Sequence, residues 1–215
     1  MMLGARTAAW EKAGGPTHPV YGGLCFTAEA ANSSVQLTAV GSAPAVTLVK
    51  SFDGVNWEDY AVGEVIDLPS IGDYVYLAAG EGGNNAFGKS AKKYHKFVIN
   101  GLVASSGDIT SILNFDCAQT ALANYCYRSM FQGCTGLTSA PELPATTLAD
   151  YCYYSMFHGC THLALIKVHF TAWGNQTSDW VSNVVSTGTF YKPRVLPEQY
   201  GIDKIPTGWT VMNID

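Results

Sequence analysis

Charge is scarce in this chain: Asp, Glu, Lys and Arg supply 13% of its 215 residues, about half of the ~25% usual in a globular protein. Twelve basic side chains against seventeen acidic ones leave a net charge of −5. That excludes a basic field able to draw in nucleic acid or an anionic membrane. No apolar run approaches the ~20 residues of a membrane span. The only apolar stretch of the opening, Ala8 to Trp10, is too short for the core of a signal peptide. A protein with this opening that works outside a cell is expected to leave in an assembled particle or by another route. With so few charges, the surface is built from Ser, Thr, Asn, Gly and Tyr, which suits an extracellular or virion setting better than crowded cytosol.

What the chain does have is a duplication. The segment from Asn124 to Leu137 returns as Asp150 to Leu163, with ten of its fourteen positions identical. A period of roughly 20–50 residues marks a solenoid, and the offset from Asn124 to Asp150 falls within that range. Residues shared by both copies are expected to be structural, and those that differ to face solvent.

Four segments follow from composition and pattern. Residues 1–23, rich in Gly, Pro and Ala, read as an extended arm that anchors the protein to a neighbour or to itself. Residues 24–100 alternate like short strands between turn signals: Leu24–Ala28, Ser34–Val40, Ala45–Ser51, Val55–Tyr60, Glu64–Leu68, Asp73–Ala79 and Tyr94–Asn100. Asp53-Gly54 is a hairpin signal, because glycine tolerates the positive φ of a tight turn. Seven short strands in such close succession predict an immunoglobulin-like β-sandwich. Residues 101–172 form the solenoid, with 101–120 bridging into it. In each repeat, apolar residues four apart (Leu122, Cys126 and Met130; Leu148, Cys152 and Met156) predict a helix ended by glycine, followed by a short strand. Residues 163–168 read as the solenoid's last strand. Residues 173–215 read as a cap: a helix from Thr177 or Ser178, then strands at Thr187–Lys192 and Gly208–Asn213. The expected class is α+β, mostly β.

The repeats Met130-Phe131-Gln132-Gly133-Cys134-Thr135-Gly136-Leu137 and Met156-Phe157-His158-Gly159-Cys160-Thr161-His162-Leu163 resemble BspA-like leucine-rich repeats, whose units carry a Phe-x-x-Cys-x-x-Leu core. The resemblance extends to Ser51-Phe52-Asp53-Gly54-Val55-Asn56-Trp57 in a preceding sandwich. It also takes in the closing segments Ser186 to Phe190 and Ile205 to Val211, and so covers roughly residues 24–215. It implies a short leucine-rich-repeat solenoid between an N-terminal sandwich and a C-terminal cap, of the kind found in surface proteins of gut bacteria and their phages. The opening MMLGARTAAW resembles the start of some gut-phage structural proteins. About two full units stand here against the long arrays of adhesins, which argues against a purely adhesive role.

Three groups of residues invite a chemical reading. Gly83 to Ser90 matches the phosphate-binding P-loop literally, but that chemistry needs a helix beginning at the lysine, and the residues after Lys89 alternate like a strand. A flexible hairpin loop is the better reading, and a nucleotide-binding enzyme a remote one. The six cysteines (Cys25, Cys117, Cys126, Cys134, Cys152 and Cys160) contain no Cys-x-x-Cys pair. Their spacing favours a ladder of reduced, buried thiols over disulfides or a metal site. The tyrosines Tyr125, Tyr127, Tyr151, Tyr153 and Tyr154 are the best aromatic candidates for stacking on a sugar ring or anchoring an interface. Those recurring in both copies (Tyr125, Tyr127, Tyr151 and Tyr153) are expected instead to pack between coils, whereas Arg128 and Tyr154 share a variable position and face outward. His158 and His162 replace Gln132 and Gly136 and are expected at the surface, at a spacing that suits adventitious metal.

Arg128, Tyr154, His158 and His162 are therefore the candidate binding residues, with no catalytic residue, cofactor or resident metal assigned. The expected function is a non-enzymatic phage virion protein (head fibre, capsid decoration or tail-tip component). Residues 1–23 would bind other virion proteins and the repeat tip a glycan or host surface, in a homo-oligomer such as a trimer. The alternative is a bacterial cell-surface adhesin.

Overall fold

Alternation builds strands where one side of the chain can be buried. The computed structural model describes residues 21–214, and all seven expected strands of the N-terminal half form within it. They are β1 (Cys25–Ala28), β2 (Ser33–Val40), β3 (Leu48–Ser51), β4 (Glu58–Tyr60), β5 (Val65–Leu68) and β6 (Tyr74–Ala79), then, after a short β7 (Gly88–Ser90), β8 (Lys93–Asn100). In β8, His95, Phe97 and Ile99 are buried, while Lys96 and Val98 between them are half-exposed. The Asp53 turn joins β3 to β4: Gly54 takes a φ of 74°, and the Asp53 carboxylate accepts the N–H groups of Val55 and Asn56 at 2.8 and 2.7 Å. Residues 101–120 supply β9 (Val103–Ser106) and a 3-10 turn, Ile109–Ile112.

The antiparallel strands divide between two sheets, β9-β1-β6-β3-β4 and β5-β2-β8-β7. Phe26 of β1 meets Phe97 of β8 across the gap, ring centres 4.9 Å apart. The first sheet then continues. β10 (Leu137–Leu143), β11 (Leu165–Val168), β12 (Thr189–Lys192) and β13 (Thr210–Asn213) join β9 in parallel, giving nine strands in the order β13-β12-β11-β10-β9-β1-β6-β3-β4. The two strands expected in the cap are thus further rungs of the same sheet. Successive coils shorten: the register runs from Ser139 to Leu165, then to Thr189, then to Thr210, each step smaller than the one before. The result is a β-solenoid of about three turns.

The helices expected at 122–132, 148–158 and from 177 onward do not form; the described residues contain no α-helix. In their place the chain runs as linked turns with a period of four. Cys126, Arg128, Met130, Gln132 and Cys134 each donate their N–H to the carbonyl three residues back. Tyr125, Tyr127, Ser129, Phe131 and Gly133 instead donate theirs to the next coil, at Asp150, Cys152, Tyr154, Met156 and His158, over 2.8–2.9 Å. An α-helix would keep every N–H within itself. Here alternate groups are turned sideways to hold coil to coil. Every fourth residue takes a left-handed backbone as a result: Tyr125, Ser129 and Gly133, then Tyr151, Ser155 and Gly159, at φ of 49–77°. Asp179 and Asn183 do the same in the third coil, and both types tolerate that region better than most.

Side chains follow the ladder into columns. Phe87, Tyr127 and Tyr153 stack at 6.2 and 6.1 Å, and Phe97, Phe131 and Phe157 at 5.2 and 5.6 Å. Each stacked pair contributes about 0.5–1.5 kcal/mol beyond its burial. Trp180 closes both columns, 6.5 Å from Tyr153 and 6.0 Å from Phe157. One large ring thus does the work of two, in step with the shorter third coil.

Both columns begin in the N-terminal half. Phe87 precedes β7 and Phe97 lies in β8, and their N–H groups donate to Cys126 and Met130 of the first coil at 2.9 and 2.7 Å. The two sheets of that half therefore continue as the two sides of the solenoid, and one buried apolar cluster runs from Leu24 to Trp209. The junction is tight. A Cβ on Gly136 would lie 1.8 Å from the Gly101 carbonyl oxygen, and one on Gly88 2.4 Å from that of Tyr125. This explains why position 136 is glycine while its repeat partner, residue 162, is histidine. Gly136→Ala should lower the unfolding free energy by about 1–3 kcal/mol, the usual cost of overpacking. Gly22→Ala, with nothing within 4 Å of its Cβ, should stay within ~0.5 kcal/mol. Urea titration of both variants checks this.

Candidate functional site

The four-residue period leaves Arg128 and Gln132 of the first coil, and Tyr154 and His158 of the second, partly exposed on the turn side. Arg128 and Tyr154 occupy equivalent positions and meet: the guanidinium carbon lies 4.0 Å above the Tyr154 ring, a cation–π contact of about 0.5–1 kcal/mol at an exposed site. The Arg128 Nε is buried there without a hydrogen-bond partner. Tyr154 in turn meets Tyr151 edge-on at 6.1 Å, and Tyr151 stacks on Tyr125 at 5.3 Å. A half-exposed row of Tyr125, Tyr151, Tyr154 and Arg128 results, offering large apolar area with polar tips.

The two histidines do not form a pair. His158 Nδ1 lies 2.8 Å from Asp179 of the following coil, whose carboxylate also accepts the Ser155 hydroxyl at 3.2 Å. His162 Nδ1 reaches back instead and donates to the Thr135 carbonyl at 2.6 Å. Among the described residues no three His, Cys, Asp or Glu side chains converge as metal ligands would.

Gly83 to Ser90 lacks the P-loop conformation. The N–H groups of Gly83, Asn84 and Phe87 donate to the carbonyls of Gly80, Leu113 and Cys126 rather than pointing at an empty cradle. The Asn84 side chain binds Thr47 and Ile112, and Lys89 sits within β7, not at a helix start. An open hollow of about 560 Å³ is lined by Val49, Trp57, Phe115 and Asp116 among others. None of the four candidate residues borders it.

No disulfide joins any of the six cysteines. The Cys134 thiol donates to the Phe97 carbonyl at 3.2 Å, and the Cys160 thiol to the Phe131 carbonyl at 3.0 Å, so each coil repeats the same sulfur contact with the one before. Burial pushes the thiols of Cys25, Cys134 and Cys152 up to about 12, and those of Cys126 and Cys160 also well up. Such thiols supply packing, not nucleophiles.

The pattern of residues gave no warning of one ionic cluster. Glu142 of β10 accepts Lys167 of β11 at 3.0 Å and His169 at 2.6 Å. Burial alone would raise the Glu142 carboxyl, but the His169 hydrogen bond and the Lys167 charge outweigh it and hold the group below its usual value. Only the register of β10 on β11, which pairs Glu142 with Lys167, brings these residues together.

In comparison with known proteins, no family model, no curated protein and no solved structure matches the chain.

The burial pattern sets an expectation for thiol chemistry. Native protein treated with a disulfide reagent such as DTNB should show a single fast thiol, from half-buried Cys117, and Cys117→Ser should abolish it. The other five should react only as the chain unfolds. Several fast thiols in the Cys117→Ser variant would contradict the buried ladder.

Proposed function

We propose that this chain is a non-enzymatic structural protein of a gut-phage virion: a head fibre, a capsid decoration or a tail-tip component. The observation that carries the reading is the commitment of the duplicated segment to scaffolding. Its shared cysteines, its phenylalanines and Tyr127 and Tyr153 are buried in columns, and what reaches the surface is a polar, weakly charged face bearing the Tyr154–Arg128 row. In this reading the N-terminal half serves as an immunoglobulin-like spacer and the coils as a leucine-rich-repeat-like display module of the BspA type. Residues 1–23 anchor the protein to its virion neighbours. Residues 1–20 of that arm lie outside the described residues. Tyr21, the first described residue, is buried against Trp57 and Phe115, with ring centres 4.9 and 5.1 Å away.

A second reading, a bacterial cell-surface adhesin for a glycan or protein, is favoured by the half-exposed row itself, since aromatic faces stack on sugars and anchor interfaces. Mass spectrometry of purified particles separates the two. The virion reading expects the protein in stoichiometric amounts, and a chain lacking residues 1–20 folded but absent from particles. Particles devoid of the full-length protein would sink it. The adhesin reading expects binding on a glycan array that Tyr154→Ala removes.

A further inference from the structure

Elsewhere in the fold the lysines are engaged. Lys50 pairs with Glu58 and Glu64, and Lys167 with Glu142. Lys192 donates to the Leu196 carbonyl at 2.7 Å, and Lys204 lies over the Trp173 ring. Five other cations, Lys89, Lys92, Lys93, Lys96 and Arg128, form no ion pair with any described residue. The residues outside the described ones hold two acidic side chains, Glu11 and Asp215, too few to neutralise all five.

The five gather in the β7–β8 hairpin and the coil that follows it. Lys89, Lys92 and Lys93 are exposed in the hairpin. Lys96 precedes Phe97, whose N–H donates to Met130 of the first coil at 2.7 Å, and strand alternation turns it outward. Arg128 stands outward on the next rung, between Cys126 and Met130. It is held in place there: the guanidinium rests on Tyr154, and its Nε is buried without a hydrogen-bond partner. Leaving a buried donor unpaired is costly, and the terminal nitrogens of the fork stay accessible on the face that also bears Gln132 and His158. The acids of that face are engaged already. Asp150 accepts the Asn175 amide at 3.0 Å, and Asp179 binds Ser155 and His158.

A planar guanidinium recognises a planar carboxylate through two parallel hydrogen bonds. Three further observations narrow the ligand. None of the exposed large apolar side chains of the described residues lies between 116 and 194, so the coils offer no apolar anchor of the kind that dominates protein interfaces. Single-stranded nucleic acid stacks its bases on open ring faces, but Tyr125 and Tyr151 are closed on each other and one face of Tyr154 lies under Arg128. Phenol edges, the Gln132 amide and the His158 imidazole remain, and such groups hydrogen-bond hydroxyls. We propose that Arg128 binds the carboxylate of a carboxylated sugar unit in an acidic polysaccharide, with Tyr154 and Gln132 on its hydroxyls. The hairpin lysines draw in the rest of the polyanion. The proposal rests on the reading of the coils as an attachment module and narrows its ligand.

Isothermal titration calorimetry of the full chain tests it, with polygalacturonate, alginate and hyaluronate as ligands. Methyl-esterified polygalacturonate, which keeps the sugar and loses the charge, is the control, beside dextran sulfate and oligothymidylate. Wild type should bind the carboxylated polymers and none of the controls comparably. Arg128→Lys keeps the charge but not the fork, and should bind about tenfold or more weakly with an unchanged melting temperature. Lys96→Gln should weaken binding chiefly at low salt. An ester bound as tightly as the acid would overturn the proposal and leave the attachment reading standing, as would an Arg128→Lys chain that binds like wild type. Preference for dextran sulfate or oligothymidylate would also overturn it, in favour of sulfate or nucleic acid. Failure to bind any saccharide would remove the glycan form of the attachment reading as well.

Discussion

The fold depends on a match in width. Two sheets packed face to face stand about 10 Å apart, and a coil can grow from them only if its strand side continues one sheet and its turn side the other. Here β9 passes its hydrogen bonds to β10, while Phe87 and Phe97 lie beneath Tyr127 and Phe131 and donate their N–H groups to the first coil. A solenoid of about three turns cannot bury its own end. The N-terminal half buries it by supplying rung zero of both walls, and Gly88 and Gly136 let the backbones close to contact.

From that start, the alternation of N–H directions propagates everything else. One group in two closes a turn within the coil and the next reaches forward to the following coil, so side chains of equivalent positions fall in register and the aromatic columns form. The columns place Cys134 and Cys160 against the carbonyls of Phe97 and Phe131. That leaves little chemistry for sulfur and sends variation to positions 128/154, 132/158 and 136/162. The coil thus sets a variable face on an invariant stack, which is the arrangement the proposed structural role draws on.

The strands of residues 24–100 were legible because period-two alternation has few competing explanations, and Asp53-Gly54 marked its turn. The helical reading fails for a specific reason: Leu122, Cys126 and Met130 are spaced four apart in a helix and in a run of four-residue turns alike. The two differ only over longer stretches. Each four-residue step drifts a helical stripe by about 40°, so Cys134 would have left the face that Leu122 began, whereas in the coil it stays buried with Cys126 and Met130. The period-four recurrence of Ser129 and Gly133 at left-handed positions was the other available sign. Of the candidate site, the difference between copies pointed Arg128 and Tyr154 outward, and both are partly exposed. Their contact with each other was not anticipated, although equivalent positions of successive coils lie side by side. His158 with Asp179, and Glu142 with Lys167 and His169, were not legible. They join residues of coils that differ in length, and no fixed period read from the duplication aligns them.

Native-state hydrogen exchange tests the shared junction most directly. If the N-terminal half and the coils form one continuous body, the amides of Phe87 and Phe97 should exchange through the same opening as those of Tyr127 and Phe131. A Phe157→Ala substitution in the second coil should then lower the protection of all four together. Coil amides that lose protection on that substitution while Phe87 and Phe97 keep theirs would show two bodies merely in contact, and the account would be wrong.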